Sequence, residues 1–552
     1  MPIMNSIDCI KKQLFNFLEK HFQIDPTVLE RIDFTLNVDD SKQQFGDLST
    51  NAAMMLAKSL QKAPNLIANE IKNNFKSGAI ARIEIAGPGF INIYLTQLTY
   101  QNLLQELAQQ SHSFFKPELT QIENYSIEYV SANPTGPLHF GHGRGGIIGD
   151  TLAKILKFAG HNVTREFYIN DAGNQMHNLG LTLQARCKQS LGIPAELPED
   201  GYRGEYMIEV ANDCLAEHGA AVVNNDVKFF ARYAETKLLA IIKQTLKDYG
   251  IEFDVWFSER NLHENGEITK AIERLTCAGY TFVAEDALWF RSTDFGDDKD
   301  RVLRKSNGDL TYAAADIAYM LSKVERGANH LIMILGQDHH SYAVRVEGFR
   351  QALALKQTKL DVILYQLVSL TASGEAVRMS KRAGNFVTLH DIIDEVGKDV
   401  ARFFFLNRKA DSHLEFNLDL ALNKTEENPV YYIQYALVRI KGILRKSSEY
   451  AELHKINSDD SNAVSEQEHQ ILKKIIYLKE LIQNITRTHQ THQLTYYAIE
   501  LARQFHSYYS HNKVLDLENI PQSRMRLLLL KQLEQTLGLV LELLGLEQPE
   551  RM

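Results

Sequence analysis

The sequence predicts a multidomain protein in which an α/β core with a parallel sheet follows an α+β N-terminal domain and precedes an all-α C-terminal helical bundle. Its 552 residues are enough for about three or four domains of ordinary size. A strand–helix–strand pattern in the middle of the chain is typical of a parallel sheet. Beyond about residue 420 the apolar residues recur only at helical spacing. We therefore expect three domains, at residues 1–115, 116–420 and 421–552.

The N-terminal domain should combine helices with one β-hairpin. Residues 1–20 have the mixed apolar and charged pattern of an amphipathic helix. Residues 81–86 and 90–95 alternate in polarity on either side of Gly87-Pro88-Gly89. Two alternating segments joined by a short glycine-containing loop predict a hairpin. A polar break at Lys116 and Pro117 follows this domain.

The middle domain carries most of the strand signal. Between the first two predicted strands, residues 141–159 have a helical pattern that ends at Gly160, in the position that favours glycine. This strand–helix–strand unit predicts parallel pairing. The predicted strands are residues 125–130, 163–169, 331–335 and 362–368.

The last domain should be helical throughout. Its apolar residues recur at three- and four-residue intervals, and a polar stretch at residues 457–467 reads as a loop between helices. The predicted helices are residues 430–444, 471–485, 494–509 and 525–544.

Composition excludes several classes of protein. A net charge of −9 does not fit a chain coated with positive charge, although a local basic surface can still bind nucleic acid. The four cysteines lie far apart without a CxxC pair, so we expect neither a disulfide framework nor a metal site. With neither a signal peptide nor an 18-residue apolar run, we expect a cytoplasmic protein that makes no membrane contact.

A glycine-rich segment after the first predicted strand suggests nucleotide binding of either of two kinds. Gly141, Gly143 and Gly146 form a GxGxxG pattern, and Glu166 lies 20 residues further on, where a dinucleotide site places a ribose-binding acid. In such sites, however, the first glycine follows the strand directly. Here ten residues separate Val130 from Gly141, which argues against a dinucleotide site.

The same segment also reads as HxGH, with His139 and His142 at the start of the predicted helix. Residues three apart share a helix face, so both imidazoles can approach one ligand. Gly141 lets a flat group such as adenine reach the backbone, and a helix N-terminus favours phosphate. Two ordinary surface histidines on a glycine-rich turn are the alternative, which the surrounding strand–helix–strand unit disfavours.

A second motif lies far downstream, at Arg378-Met379-Ser380-Lys381-Arg382. Cationic side chains on such a loop suit the negative charge that develops on a triphosphate under attack. Alone, the segment would be an ordinary solvated basic loop. HxGH and this loop in this order are a more specific signal.

Together the two motifs resemble the signatures of class I aminoacyl-tRNA synthetases, and the match narrows to arginyl-tRNA synthetase. The resemblance extends to short segments along nearly the whole chain, at residues 45–52, 87–92, 168–175, 431–440 and 543–552. It implies a Rossmann-like catalytic domain, a tRNA-binding N-terminal domain and a helical anticodon-binding domain. It also implies ATP with Mg²⁺, L-arginine and tRNA(Arg) as ligands, no covalent enzyme intermediate, and a monomer.

The resemblance also implies roles for individual residues. The family loop would read Lys-Met-Ser-Lys-Ser, so Arg378 and Arg382 are departures, and the main phosphate contact falls on Lys381. The implied catalytic residues are His139, His142 and Lys381, and the ATP-binding residues are Pro137, Leu138, Phe140, Gly141, Gly143, Arg378, Met379 and Ser380. The implied arginine-binding residues are Glu128, Ser131, Asn133, Tyr312, Asp316 and Gln337. The candidate tRNA contacts are Phe45, Asn51, Asn92, Tyr431, Tyr435 and Arg439, with Tyr432, Tyr508 and Lys513 as further candidates.

Three other functions remain open from the residues alone. HxGH also serves synthetases for other amino acids and nucleotidylyltransferases that act on small molecules, although the latter have no need of a long helical tail. A non-catalytic tRNA-binding homologue is the third, but its motifs should have decayed, whereas His139, His142 and Lys381 are intact.

Overall fold

A computed structural model of the protein describes residues 5–29, 31–376, 387–454 and 464–552. Among these residues, no helix combines the length and the apolar character needed to cross a membrane. Short 3₁₀ turns occupy Asp40–Phe45, Ser111–Phe115, Ala220–Asn224, Ser292–Phe295, Gln337–His339 and Ala451–His454.

The N-terminal region packs helices on a four-stranded sheet of order β1-β2-β4-β3, in which every pairing is antiparallel. The predicted hairpin is β3–β4, with Gly87 and Gly89 both at positive φ in its turn. The elements are α1 (Ser6–Phe22), α2 (Pro26–Leu29), β1 (Phe34–Leu36), β2 (Leu48–Thr50), α3 (Ala52–Leu60), α4 (Pro64–Asn74), β3 (Ile80–Ala86), β4 (Phe90–Leu95) and α5 (Gln97–Gln110).

The middle region begins with the predicted strand–helix–strand unit. Gly160 ends its helix with φ 109°, a conformation that glycine adopts without a steric penalty. Three further helices lead to a strand at the sheet edge. These elements are β5 (Asn124–Glu128), α6 (His142–Ala159), β6 (Asn162–Ile169), α7 (Asn174–Ser190), α8 (Tyr206–His218), α9 (Val227–Asp248) and β7 (Val255–Ser258).

A small antiparallel sheet of order β10-β9-β8 then precedes two more strands of the parallel sheet. The elements of this part are α10 (Glu259–Glu264), α11 (Glu267–Cys277), β8 (Thr281–Ala284), β9 (Ala287–Phe290), β10 (Arg301–Arg304), α12 (Tyr312–Glu325), β11 (His330–Gly336), α13 (His340–Ala352) and β12 (Lys359–Tyr365).

The central sheet has the order β12-β11-β5-β6-β7, and all of its pairings are parallel. From β5 the chain builds outward to β6 and β7, and it later returns to place β11 on the other side of β5. The order therefore reverses between β5 and β11. In open parallel sheets, ligands bind in the crevice beyond the carboxyl ends of the strands at such a reversal.

The single strand predicted at residues 362–368 is two strands. The first, β12, ends at Tyr365, and Gln366 then donates its N–H to the Ala410 carbonyl. The chain thereby leaves the parallel sheet and continues in a second small sheet, of order β14-β13-β15. This part contains β13 (Val368–Ala372), β14 (Glu375–Ala376), α14 (Leu389–Val396), α15 (Lys398–Leu406), β15 (Leu414–Asn417) and α16 (Leu418–Leu422).

The C-terminal region is a helical bundle, as predicted. Most of the predicted loop at residues 457–467 lies outside the described residues, and the next helix begins at Glu466 after a capping box at Ser465. The helices are α17 (Pro429–Ser447), α18 (Glu466–Thr488), α19 (His492–His511) and α20 (Ile520–Leu544).

The bundle contacts both other regions through buried charged groups. Lys473 of α18 lies 3.0 Å from the Asp47 carboxylate of the N-terminal region. Arg402 of α15, whose side chain is fully buried, pairs with Asp150 of α6 and donates to the Leu544 carbonyl at the end of α20. A charged group buried between elements requires a partner, so these contacts fix how the three regions pack.

Candidate active site

The crevice at the strand reversal is bordered by the segments that follow β5 and β11. The chain after β5 bends sharply, with Val130 at φ 68° and Ser131 at φ 41°. Positive φ is unfavourable for a β-branched residue such as Val130, and strained backbone of this kind is concentrated at functional sites. The bend turns the chain out of the sheet toward the HxGH segment.

The two histidines of HxGH lie against each other. Their ring centroids are 3.7 Å apart with an interplanar angle of 29°. Leu138 and Phe140, which alternate with them, are almost completely buried. Phe140 packs on Phe405 of α15 with ring centroids 5.0 Å apart. The apolar pair anchors the segment, so that both imidazoles are held at the amino end of α6.

The segment that follows the second motif is hydrogen-bonded to HxGH. Phe140 donates its N–H to the Val387 carbonyl over 3.1 Å, and Leu389 donates to the Leu138 carbonyl over 2.8 Å. His139 and Thr388 are bridge partners between these bonds. The motif itself (Arg378, Met379, Ser380, Lys381 and Arg382) lies outside the described residues. The chain that leaves it at Val387 is nevertheless paired with the first motif.

The glycines that suggested a dinucleotide site serve instead to pack α6. A Cβ on Gly143 would lie 2.8 Å from Leu389 and from Phe405, and one on Gly146 would lie 2.9 Å from Ile251. Both distances are shorter than real contacts of a Cβ atom. Glu166 is fully buried and accepts hydrogen bonds from Ser126 and Arg326. The dinucleotide interpretation is therefore wrong.

Gly143 also needs correction as a candidate ATP contact. It is buried, its α-carbon faces Leu389 and Phe405, and its N–H donates to the Phe140 carbonyl. Close packing at position 143 is by itself sufficient reason for a glycine there. Gly141, in contrast, is half-buried beside the His139 ring at the start of α6.

An acidic pocket lined by tyrosines lies where β5, β7 and α12 converge. Burial and the nearby carboxylates of Glu128 and Glu259 together raise the pKa of Asp316 to about 7, against the lowering effect of a hydrogen bond from Tyr342. The same three acids surround Tyr168, which hydrogen-bonds Glu259. Three carboxyl groups that share one partly buried space favour a cationic ligand.

Glu128 is already paired inside this pocket. Its carboxylate lies 2.6 Å from Lys323 Nζ, and both side chains are buried. Lys323 also lies over the Tyr319 ring, 4.1 Å from its centroid. An arginine ligand would therefore share Glu128 with Lys323, whereas Asp316 and Glu259 have no lysine or arginine partner among the ion pairs of the described residues.

The other residues predicted to bind arginine are spread around the crevice. Ser131 accepts a hydrogen bond from the Tyr168 N–H, which ties the bend after β5 to β6. Gln337 directly follows β11 and is half-buried. Asn133 is exposed, and Tyr312, at the start of α12, is 58% exposed with its hydroxyl facing Gly173.

Three residues of this pocket were missed in the sequence. Glu259 follows the short strand β7, and Lys323 and Tyr342 lie on α12 and α13. The strand pattern before Glu259 was a usable signal, because the carboxyl ends of parallel strands meet at one edge of the sheet. No local sequence pattern indicated that Lys323 or Tyr342 belongs to the pocket.

Part of the predicted tRNA surface on the C-terminal bundle is exposed. Tyr435 is 44% exposed, and the Arg439 guanidinium lies 4.5 Å from the Tyr435 ring centroid and 4.9 Å from that of Tyr509. Tyr431 and Tyr432 are half-buried on the same helix, α17, and Lys513 pairs with Asp516. Tyr508 is a correction, because it is buried and donates to Glu468 inside the bundle.

The N-terminal candidates differ in accessibility. Phe45 is 40% exposed, and Asn51 is half-buried at the start of α3, where it exchanges hydrogen bonds with Asp33. Asn92 lies in β4 between Ser49 and Glu84 and is only 4% exposed. Its side chain is not available to a polynucleotide, which corrects that prediction.

Comparison with known proteins covers all three regions. A family model described as "tRNA synthetases class I (R), catalytic domain" matches residues 102–416. The model "Arginyl tRNA synthetase N terminal domain" matches residues 8–95, and "DALR anticodon binding domain" matches residues 433–552.

Individual relatives agree with the family models. "Arginine--tRNA ligase 1" of Halalkalibacterium halodurans is 44% identical over 513 residues, 92% of each chain. "Arginine--tRNA ligase" of Bacillus subtilis is 43% identical over the same length and share. The crystal structure of a putative arginyl-tRNA synthetase from Campylobacter jejuni superimposes with a TM-score of 0.76 at 34% identity, over 83% of this chain and all of that one. With such similarity over nearly its whole length, this chain belongs to the arginyl-tRNA synthetase family.

Proposed function

We propose that the chain joins L-arginine to its cognate tRNA in two steps that use ATP, both at the crevice between β5 and β11. The proposal rests mainly on one observation. The stacked His139–His142 pair lies in the segment that follows β5, and the acidic pocket that favours a cation includes Glu128 at the carboxyl end of the same strand. A site for nucleotide phosphate beside a site for a guanidinium is what formation of arginyl-adenylate requires.

In the first step, an oxygen of the arginine carboxylate attacks the α-phosphorus of ATP, and the bond from that phosphorus to the bridging oxygen of pyrophosphate breaks. His139 and His142 contact the phosphates where negative charge develops. Lys381 holds the β- and γ-phosphates, with Arg378, Met379 and Ser380 beside it. Pro137, Leu138, Phe140 and Gly141 present the backbone on which adenine rests. Positioning and charge stabilisation supply the catalysis.

Mg²⁺ would bind together with ATP, through the ATP phosphates. The HxGH segment offers imidazoles and backbone, whereas Mg²⁺ prefers oxygen ligands in an octahedral arrangement. These donors do not fit a dedicated magnesium site, and we assign no protein ligand to the ion.

The arginine side chain enters the acidic pocket. Asp316 and Glu259 present carboxylates to the guanidinium, which favours bidentate pairing. Glu128 contributes charge while shared with Lys323. Tyr312 covers the alkyl chain at the pocket entrance. Gln337, Ser131 and Asn133, at the carboxyl ends of β11 and β5, hold the α-amino and carboxylate groups near HxGH.

In the second step, the 2′-hydroxyl of the terminal adenosine of tRNA(Arg) attacks the arginyl carbonyl and AMP leaves. We assign anticodon contacts to Tyr431, Tyr435 and Arg439, because exposed rings beside a guanidinium can stack on unpaired bases. Phe45 and Asn51 are candidates for contact elsewhere on the tRNA. We further propose domain limits at residues 1–115, 116–420 and 421–552, a monomeric state and a cytoplasmic location.

Charging of total tRNA with each radiolabelled amino acid in turn tests the substrate. We expect arginine alone to be incorporated. Incorporation of another amino acid would move the chain to a different synthetase specificity, and adenylyl transfer to a small molecule without tRNA would favour the nucleotidylyltransferase alternative.

Replacement of one histidine tests the catalytic assignment. We expect His142→Ala to lower kcat for aminoacylation about 100-fold or more, as does the loss of a group that stabilises transition-state charge. His511→Ala, which removes an exposed histidine from α19, is the matched control and should retain activity. Unchanged aminoacylation in His142→Ala would refute the assignment.

A further inference from the structure

A second cluster of polar side chains lies at the opposite edge of the central sheet from the active site. His330 is the first residue of β11, and Asp361 lies near the beginning of the neighbouring strand β12. His489 directly follows α18 of the helical bundle. One nitrogen from each histidine and one carboxylate oxygen lie within 4.8 Å of one another. The cluster therefore joins the catalytic region to the bundle.

Each ring nitrogen of His330 lies next to a carboxylate oxygen. Its Nδ1 lies 2.7 Å from Glu123 Oε2, and its Nε2 lies 2.6 Å from Asp361 Oδ2. A carboxylate can only accept a hydrogen bond, so both contacts form only when both ring nitrogens carry a proton. If Nδ1 keeps its proton and donates it to Glu123, a cation can replace the Nε2 proton between His330 and Asp361.

Glu123 has the position of an outer partner in a metal site. Metal-binding histidines donate their other ring N–H to a carboxylate, which fixes the ring and increases its basicity. Lys359 pairs with the second oxygen of Glu123. The Glu123 side chain is therefore held in place before any ion arrives.

His489 supplies the third donor from the bundle. Its Nδ1 lies 3.9 Å from Asp361 Oδ2, and its side chain is 10% exposed. The residue has φ 58° at the end of α18, so the helix end points the imidazole toward the sheet.

Space for a fourth ligand lies beside this triad. A cavity of about 370 Å³ is bordered by Asp361, His489, Thr488, Gln490 and His492, among others. It can admit the water that completes four-coordination. Zinc sites with three protein ligands and an open position take nitrogen and oxygen donors at about 2.0–2.2 Å. Zinc binding at those bond lengths requires a shift of the donor atoms, which lie within 4.8 Å of one another.

We propose that His330 Nε2, Asp361 Oδ2 and a ring nitrogen of His489 bind one divalent transition-metal ion, with Zn²⁺ as the preferred ion, and that Glu123 orients His330. Two imidazoles and a carboxylate favour zinc over the oxygen-seeking Mg²⁺ and Ca²⁺. Binding displaces the Nε2 proton of His330 to solvent. The ion would tie the bundle to the catalytic sheet at the edge far from HxGH.

Calorimetric titration of the full chain with Zn²⁺ tests the site. The protein is first treated with EDTA to strip bound metal, and the EDTA is then removed. A Cys9→Ser, Cys277→Ser background removes the two thiols that are not buried. We expect one equivalent to bind, with at least tenfold loss of affinity in His489→Gly and in Asp361→Asn. Glycine suits the positive φ at position 489, so that variant preserves the helix end. We expect Glu123→Gln to weaken binding by about 10–100-fold.

His492→Ala is the matched control, because His492 borders the same cavity but does not belong to the triad. It should bind Zn²⁺ like the parent. Absorption of bound Co²⁺ in the visible range gives a second readout, which should be lost in His489→Gly and kept in His492→Ala. The proposal is overturned if the parent binds no equivalent of zinc, or if His489→Gly and Asp361→Asn bind as tightly as the parent. Aminoacylation is measured alongside to verify that each variant is folded.

Discussion

At the scale of the residue, Asp316 has an ionisation state that should control arginine binding. Burial and two neighbouring acids raise its pKa to about 7, and a guanidinium binds the ionised form. As pH falls below 7, the carboxyl gains a proton that binding must remove. We expect the apparent Kd for arginine to rise toward tenfold per pH unit below 7 and to be flat above about 8. Calorimetry between pH 5.5 and 8.5 measures this.

Two variants test whether Asp316 is the cause of this pH dependence. Asp316→Asn should bind arginine weakly and without the step near pH 7. Tyr312→Phe should keep the step, because it changes an exposed side chain at the pocket entrance and leaves all three carboxyl groups in place. A wild-type affinity that is constant from pH 5.5 to 8.5 would contradict the assignment of Asp316.

Gly143 should be intolerant of even one added methyl group. A Cβ there would lie 2.8 Å from both Leu389 and Phe405, and overpacking of this kind costs about 1–3 kcal/mol. We expect Gly143→Ala to lower the free energy of unfolding by that amount in urea titrations. The strain falls on the first turn of α6, so kcat should also decrease.

Gly442→Ala is the control for this substitution. Gly442 lies inside helix α17, and nothing lies within 4 Å of the position of its Cβ. Alanine there should stabilise the protein by about 0.5–1 kcal/mol, because glycine is unfavourable inside a helix. Equal effects at the two positions would argue against the packing explanation.

The pocket shows which residue contacts local sequence can indicate and which it cannot. Gln337, next to a strand end, and Asp316, four residues after Tyr312 on one helix, could be proposed from family resemblance and local pattern. The partnership of Glu128 with Lys323 could not, because it joins β5 to α12 across 195 positions of sequence. The GxGxxG pattern is ambiguous by itself for a different reason. Glycine is required equally where a helix packs closely and where a phosphate binds.

At the scale of the element, α15 holds α6 in place through Arg402. Its guanidinium pairs with Asp150 and also donates to the carbonyls of Tyr249 and Leu544. Burial would raise the pKa of Asp150, but the charges of Arg402 and Lys154 outweigh burial and lower it. The helix that carries His142 is thereby tied to the last helix of the bundle.

We expect Arg402→Met to destabilise the fold by about 3–5 kcal/mol, since it leaves a buried carboxylate without its main partner. Thermal unfolding followed by circular dichroism measures the change. Lys398→Met, on the same helix, removes an exposed pair with Glu547 and should cost less than about 1 kcal/mol. A small effect of Arg402→Met would show that Asp150 is solvated or neutral.

The elements were predictable where local chemistry determines them. The β3–β4 hairpin, the end of α6 at Gly160 and the four bundle helices follow from turn residues and periodicity. The division of residues 362–368 into β12 and β13 was not predictable, because the run contains a single polar residue, Gln366, and neither glycine nor proline. The break is caused by Ala410, a distant residue whose carbonyl accepts the Gln366 N–H.

At the scale of the whole molecule, the first and last regions are joined by Asp47 and Lys473. Only 2% of the Lys473 side chain and 11% of that of Asp47 are exposed, and Asp47 also accepts the Leu95 N–H. Tyr100 stacks on His469 beside this pair, with ring centroids 4.0 Å apart. The contact fixes the N-terminal sheet on α18.

We expect Asp47→Asn to loosen this contact, because it leaves Lys473 buried without a negative partner. Hydrogen exchange should become faster in β4 and in the first turns of α18, while the central sheet keeps its protection. Asp8→Asn, which removes the more exposed pair with Lys479, should have a smaller effect. Faster exchange throughout the molecule would instead indicate global destabilisation.

The Asp47–Lys473 contact has a consequence for how the protein is made. Its two residues are separated by 426 positions, which a ribosome crosses in roughly 20 to 85 seconds at about 5–20 residues per second. Throughout that interval the nascent N-terminal sheet exists without the helix that covers it. The apolar side chains around Tyr100 are then accessible to chaperones and to neighbouring nascent chains. The yield of active enzyme therefore depends on whether this sheet stays folded before α18 is made.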